Sequence, residues 1–500
     1  MRFIQCSLSI LIFTILAIAA GCNNAGSGGT NGGEAAKGEK VPITTASDEA
    51  KQEYLKGRDL AENLRLVDSH AHFDKAISLD PNFALAELSR ANASQTAKDF
   101  FEHLKKAVSL ADKASDGEKN LILAAQAGAN GDSAKQKEYL DKVVAAYPDD
   151  ERAHFFLGGY YFGQQEFTKA IEEYKRSTEI NPKFAPVYNI MGYAYRQNGD
   201  YKNAEDAFKK YIELIPDNPN PYDSYAELLL KTGKFDDSIA QYNKALSIDP
   251  NFNNSHSGIA AALTYQGKYD EAAAELQKLT DNARSDGDKQ TALFGLVALD
   301  LDKGDTAKAL EDLDKIYQIT EKRNDPAAMS GNLATRGTIL VAAGRFDQAK
   351  AAFEKSLKLI EDSDLSQDIK DNAKRLDHYN LGTAALGKGD LETAKKESEE
   401  FSKAAEAAKN TGQIFLAHEL AGMIALAEKD FDKAIAELEK SSLQNPRNLY
   451  RLAEAYQGKG DKAKANEYAT KAAEFYPLPQ INYALVRKDA RKLADETGSD

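Results

Sequence analysis

A chain of 500 residues that is 42% hydrophobic has enough apolar surface to bury a large core. Its formal net charge of −14 lacks the basic footprint that nucleic acid requires, so nucleic acid is not an expected partner. Proline is sparse, tryptophan is absent, and Ala, Leu, Glu, Lys and Tyr are abundant, which reads as helix-rich.

Residues 1–21 have the layout of a signal peptide. Arg2 supplies the positive start, Leu8 to Ala20 is apolar apart from Ser9 and Thr14, and small residues precede Cys22. The apolar run is short for a transmembrane helix. Cys6 lies inside this segment, so Cys22 would be the one cysteine of the mature chain, and no internal disulfide is expected. Removing residues 1–21 takes away one Arg and no acid, leaving a charge of −15.

Ala19-Ala20-Gly21-Cys22 resembles the bacterial lipobox, with Ala19 where Leu is usual. The resemblance implies lipidation at Cys22 and anchoring to a membrane of the cell envelope. Asn23, rather than Asp, follows the cysteine, which favours the outer membrane over the inner. Residues 22–48 begin with a Gly-, Asn- and Ser-rich stretch and are expected to form a flexible tether.

From residue 49 the sequence repeats. Pro148, Pro182, Pro216 and Pro250 are 34 apart, as are Gly199, Gly233 and Gly267; Gly131 fits the glycine series, with Gln165 as its gap. Small residues keep the same step at Ala124, Gly158, Gly192, Ala226 and Ala260, and again at Ala170, Ala204, Ser238 and Ala272. Large ones keep it at Leu140, Tyr174, Phe208, Tyr242 and Leu276. Each series has a physical task. The first small residue lets two helices approach closely. The glycine permits the turn between them, the large residue fills the space between them, and the proline ends the unit. The product is an antiparallel helix pair.

These positions resemble the tetratricopeptide repeat, most clearly at Leu157-Gly158, Tyr161, Ala170, Tyr174 and Pro182, and at Gly192, Tyr195, Ala204, Phe208 and Pro216. Tyr188 and Tyr222 stand where the family favours Trp. The resemblance implies an all-α, right-handed superhelical solenoid of about twelve antiparallel helix pairs, each touching only its neighbours. Residues 49–286 read as the regular array and 287–478 as an array of longer units, with Glu321 to Ala328 and Glu361 to Asp371 as polar connectors. The change of period near Asp286 marks either a break between two stacks or a bend in one. Residues 479–500, after Pro477 and Pro479, read as a capping helix and tail.

No phosphate loop, zinc motif or nucleophile elbow is present. The seven histidines look scattered, and His70 and His72, two apart on a helix, point to different sides. The carboxylates read as solvated outer faces. No enzyme activity, metal or cofactor is therefore expected. The expected function is a membrane-anchored scaffold or adaptor that binds protein or peptide partners on its concave face. The alternatives are a ligand-binding lipoprotein of nutrient or glycan uptake and a regulatory repeat module. Helical spacing places the concave stripe at Phe155, Gly159 and Phe162, then Asn189, Tyr193 and Arg196, then Asp223, Glu227 and Leu230. Partly exposed aromatics beside Arg196 would suit an extended peptide.

Overall fold

The computed structural model describes residues 38–94, 96–283 and 285–498. The expected signal peptide, Cys22 and the first part of the expected tether lie outside the described residues. The chain divides into two compact units at Tyr222. Among the described residues there is no strand, and no helix is long and apolar enough to cross a membrane.

The N-terminal unit holds five helix pairs: α1 (Asp48–Glu62) with α2 (Leu66–Leu79), α3 (Ala84–Ala93) with α4 (Ala97–Leu110), α5 (Asp116–Ala129) with α6 (Ser133–Ala146), α7 (Glu151–Gly163) with α8 (Phe167–Ile180), and α9 (Ala185–Gln197) with α10 (Tyr201–Leu214). Seven more pairs follow. These are α11 (Pro219–Lys231) with α12 (Phe235–Ile248), α13 (Asn253–Tyr265) with α14 (Tyr269–Asp281), α15 (Asp286–Lys303) with α16 (Thr306–Lys322), and α17 (Pro326–Ala342) with α18 (Phe346–Glu361). Then come α19 (Gln367–Lys388) with α20 (Leu391–Ala407), α21 (Thr411–Ala427) with α22 (Phe431–Leu438), and α23 (Pro446–Lys459) with α24 (Lys462–Ala473). The short α25 (Ile481–Ala484) and α26 (Arg487–Thr497) close the chain.

The repeat positions act as the spacing requires. A Cβ on Gly192 would sit 2.7 Å from Cε1 of Phe208, and one on Gly158 would sit 2.5 Å from Cε1 of Tyr174, so each glycine is the seat of the large residue of its own pair. Phe208 and Tyr174 are fully buried there. Gly199, Gly233 and Gly267 have φ of +80°, +73° and +78°, the left-handed conformation that ends the first helix of a pair. Gln165 adopts φ +62° in the same place without being glycine. Second helices α6, α8, α10 and α12 each end two residues before the proline of the 34-residue series, because the residue before proline is pushed out of helix.

The break in period near Asp286 falls inside the C-terminal unit and does not interrupt packing. Leu276 of α14 lies against Gly295 of α15, and one apolar cluster runs from Ala226 to Leu299. The extra residues of the later repeats lengthen helices more than loops. The expected connectors shrink to residues 323–325 and 362–366, since Asp325 caps α17 and Pro326 starts it at once.

Two features depart from a stack in which each pair touches only its neighbours. In the N-terminal unit, residues 38–47 do not swing free. They form a strap bound to repeats some 34–111 residues away in sequence: Gly38 N–H donates to Asp149, Val41 N–H to Asp150, Thr44 N–H to Glu118 and Ala46 N–H to Asp80. Val41 is buried. Arg152 at the start of α7 also reaches Glu62 of α1, with Nε 3.0 Å from the carboxylate. In the C-terminal unit, the stretch after α24 turns back on the unit's first repeats. Lys231 Nζ donates to the Phe475 carbonyl at 2.6 Å, Tyr265 donates to the Pro477 carbonyl, and Tyr476 packs on Phe235 and Tyr265. Arg487 of α26 then pairs with Asp302 of α15. The expected capping helix is thus two helices separated at Leu485–Val486, and besides lying on α24 it joins the two ends of its unit.

Candidate functional site

In three repeats of the C-terminal unit the first helices carry a connected polar face. Their starts are set by short capping signals. Asn410 accepts from the Gln413 N–H at 3.0 Å and opens α21, while Asn445 accepts from the Arg447 N–H at 3.1 Å and opens α23 with Pro446 at its first position. Asn372, Arg375 and Tyr379 then share one side of α19, spaced three and four residues apart.

Glu419 of α21 is the centre of this face and is 3% exposed. It accepts hydrogen bonds from Arg451 Nη1 at 2.7 Å, Tyr379 Oη at 3.0 Å, Asn448 Nδ2 at 3.0 Å and Asn445 Nδ2 at 3.1 Å. Burial opposes its charged form. The Arg451 and Arg447 guanidiniums and these donors outweigh burial and hold the carboxyl below the usual range. Burial also pushes the Tyr379 hydroxyl well above its ordinary value, so it remains a donor.

One turn away lies a group of different character. Arg375 is half-buried; its Nε donates to Gln413 Oε1 at 2.9 Å and its Nη2 to Asn372 Oδ1 at 3.3 Å. Gln413 donates in turn to Asn372 Oδ1 at 3.0 Å. Both partners of Arg375 are neutral amides, and among the described residues no carboxylate comes within ion-pairing distance of it. Burial therefore pulls its guanidinium below the ordinary Arg range, against the pull of Asp371 and Asp368. A partly desolvated guanidinium held in place by amides can bind a carboxylate or another anion.

Family models described as "Tetratricopeptide repeat-like domain", "Tetratricopeptide repeat" and "TPR repeat" match this chain. The first covers residues 256–374, the second 185–218 and 447–478, and the third 158–199 and 226–264. The chain belongs to the tetratricopeptide-repeat family. No curated protein matches it. Solved structures similar to this tetratricopeptide-repeat protein include a tetratricopeptide repeat protein from Parabacteroides merdae, at 16% identity and TM-score 0.37, covering 52% of this chain and 98% of that one. A thermophilic TPR protein of Thermus thermophilus has 20% identity and TM-score 0.29, covering 43% and 99%. The MamA protein has 24% identity and TM-score 0.29, covering 33% and 91%. Tetratricopeptide repeats generally mediate protein–protein interaction, and the fold is generally non-catalytic.

In this tetratricopeptide-repeat protein the stripe expected from sequence is mostly core. Phe155 packs on Tyr174 and Phe184, and Tyr193 stands edge-on to Phe208; both are buried, not partly exposed. The reason is that each ring fills the space beside the large residue of a second helix. Asn189 is buried and donates to Asn220 Oδ1 at 3.3 Å. Phe162 is half-exposed beside Phe167, and Arg196 lies 4.7 Å above the Tyr193 ring. In the other unit, Asp223 is buried and accepts from Ser255 at 2.8 Å, and Glu227 is buried as well. The same spacing rule carried into later repeats lands on Tyr379, Glu419 and Tyr450. It finds Tyr379 and Glu419 of the polar face but not Arg375, Gln413 or Arg451, which lie off that stripe.

Sequence reading also missed the histidines. Six of the seven pair with a glutamate. His154–Glu173, His256–Glu275, His378–Glu397 and His418–Glu437 are each 19 residues apart. In all four the His stands four places before the small residue of the first helix, in the slot that Tyr188 and Tyr222 occupy elsewhere. Glu53–His72 and Glu87–His103 use the same two slots with the residue types exchanged. The seventh, His70, bonds the Ala93 carbonyl instead, at 2.7 Å. Several glutamates read as solvated faces, among them Glu87, Glu118 and Glu419, are buried.

Proposed function

We propose that this protein is a non-catalytic scaffold of the cell envelope that binds protein partners through the first-helix face of α19, α21 and α23. The observation that carries the proposal is Arg375, a half-buried guanidinium whose bonded partners are neutral amides. A fully structural arginine at this depth would be expected to face a carboxylate, as Arg451 faces Glu419. An acidic side chain or terminal carboxylate of a partner chain would complete the site. In this reading the protein is lipid-anchored through Cys22, at the outer membrane, and nucleic acid is not a partner; the signal-like start, Gly21-Cys22 and the acidic charge support it.

Two measurements test this reading. Arg375→Gln keeps side-chain bulk and hydrogen bonding but removes the charge. Partners cross-linked in membranes should be lost while the melting temperature stays unchanged. Full recovery of partners, or a loss explained by unfolding, would remove the site. Separately, Cys22→Ala should move the protein from the membrane to the soluble fraction and abolish acylation. A wild-type protein without acyl chains would end the anchoring proposal.

A further inference from the structure

The strap of residues 38–47 shows what its seat recognises. Contact is made chiefly through main-chain N–H groups: Gly38 to Asp149 at 3.0 Å, Val41 to Asp150 at 2.8 Å, Thr44 to Glu118 at 2.7 Å and Ala46 to Asp80 at 2.9 Å. Such donors belong to every residue except proline, so they select an extended backbone rather than a sequence. Side chains add selectivity: Thr45 donates to Asp80, Ile43 packs against the core, and two others make the strongest demands. Val41 is 2% exposed and fills a niche beside Gly117 and Tyr147, and Lys40 pairs with Glu151 while donating to the Asp149 carbonyl. Glu39, Pro42, Thr44 and Ala46 are exposed and impose nothing.

The seat does not depend on the strap for its shape. Glu118 also accepts from the Ser115 N–H at 2.9 Å in a capping box, Asp150 caps α7 through the Arg152 N–H at 2.8 Å, and Asp80 holds the Asn82 N–H at 3.0 Å. Each carboxylate is positioned by its own loop, so the acceptors stay aimed outward if the strap leaves. A preorganised row of acceptors with one apolar niche binds without first being ordered.

We propose that this seat is an interaction site for an extended segment of another protein chain, one with a basic residue followed by a β-branched apolar residue, and that the strap is the resident occupant it displaces. The basic residue answers the Glu151 carboxylate and the Asp149 carbonyl, as Lys40 does; the apolar one takes the Val41 niche. The site is independent of the α19–α23 face, since its residues all lie in the N-terminal unit.

The test uses the full chain and a fluorescein-labelled peptide with the sequence of residues 38–47. Lys40→Glu with Val41→Asp places acids against an acidic seat and should release the strap. The released protein should bind the peptide at least roughly tenfold more tightly than wild type, because the resident competitor is gone. A peptide carrying the same two changes should not bind. No binding by a released protein that keeps its helical circular dichroism would overturn the proposal. So would equal binding by both proteins, which would place the peptide elsewhere. In wild type, a photo-crosslinker at the valine position of the peptide, at high concentration, should form adducts within residues 117–151. Adducts confined to other regions would also overturn it, whatever the double variant does.

Discussion

His256 Nδ1 of α13 lies 2.5 Å from the Glu275 carboxylate of α14, and both side chains are about nine-tenths buried. The pair bridges the two helices of one repeat, and five other repeats carry the same bridge in the same two slots. It does in polar form what Tyr188 and Tyr222 do in their repeats, which is to fill the gap beside the close helix contact.

These bridges should make the protein acid-labile. Burial pushes the Glu275 carboxyl up, but hydrogen bonds from His256 and Lys278 outweigh it and hold it below the usual range; Glu87 and Glu437 behave alike. A depressed folded value means that the stabilisation is present above the unfolded value near 4.3 and lost as pH falls through the folded one. Melting temperature should therefore drop steeply below about pH 4. His256→Gln should melt lower at pH 7 and show a shallower acid limb. An acid limb identical to wild type would mean that the bridge contributes nothing.

Asp377 should behave in the opposite way. Burial raises its carboxyl to about 6; His378 opposes this, while Glu397, Glu354 and Glu361 add to it. A raised folded value means that stability declines as pH rises from the unfolded value near 3.9 through about 6 and stays low above it. Asp377→Asn should raise the melting temperature by a few degrees at pH 7.5, and by little at pH 3.5. An unchanged or lower value at pH 7.5 would show that the carboxylate is better solvated than its surroundings imply.

Gly192→Leu should loosen the α9–α10 pair. Even a Cβ would lie 2.7 Å from the Phe208 ring, which is fully buried and has no room to retreat. The expected cost is about 1–3 kcal/mol in denaturant titration. Phe208→Ala should cost about 3–5 kcal/mol by opening a cavity in the same place.

Arg487→Ala should be felt far from its own helix. Its guanidinium pairs with Asp302, 3% exposed and 185 residues away, and donates to Tyr269. Removing it strands a buried carboxylate, a change that costs about 3–5 kcal/mol when no other partner compensates; Tyr269 should soften this. Hydrogen exchange should quicken in α13 and α15 as well as in α25 and α26. Exchange confined to the last two helices would restore the picture of repeats that sense only their neighbours.

The amino-acid order alone determined the repeat. Prolines, glycines, and small and large residues recur in one register because each helix pair solves the same local packing problem, so twelve pairs could be read from spacing alone. The His–Glu bridges were legible on the same grounds: a separation of 19 residues runs from the first half of one helix, through the turn, to the middle of the next, and it recurs. It was missed because the histidines were weighed singly and not against the repeat register.

Only the tertiary structure decided how the ends are used. Val41 meets Asp150 across 109 residues, and Tyr265 meets Pro477 across 212. Each of these contacts occurs once, so no period announces it. A Gly-rich stretch followed by a few apolar residues reads as a tether until the seat for Val41 is known, and two prolines read as a stop until Lys231 and Tyr265 are found waiting for the carbonyls beside them. The burial of Phe155 and Tyr193 was decided there too. Helical spacing fixes which residues share a stripe, but how far a neighbouring helix covers that stripe depends on where the rest of the chain has packed.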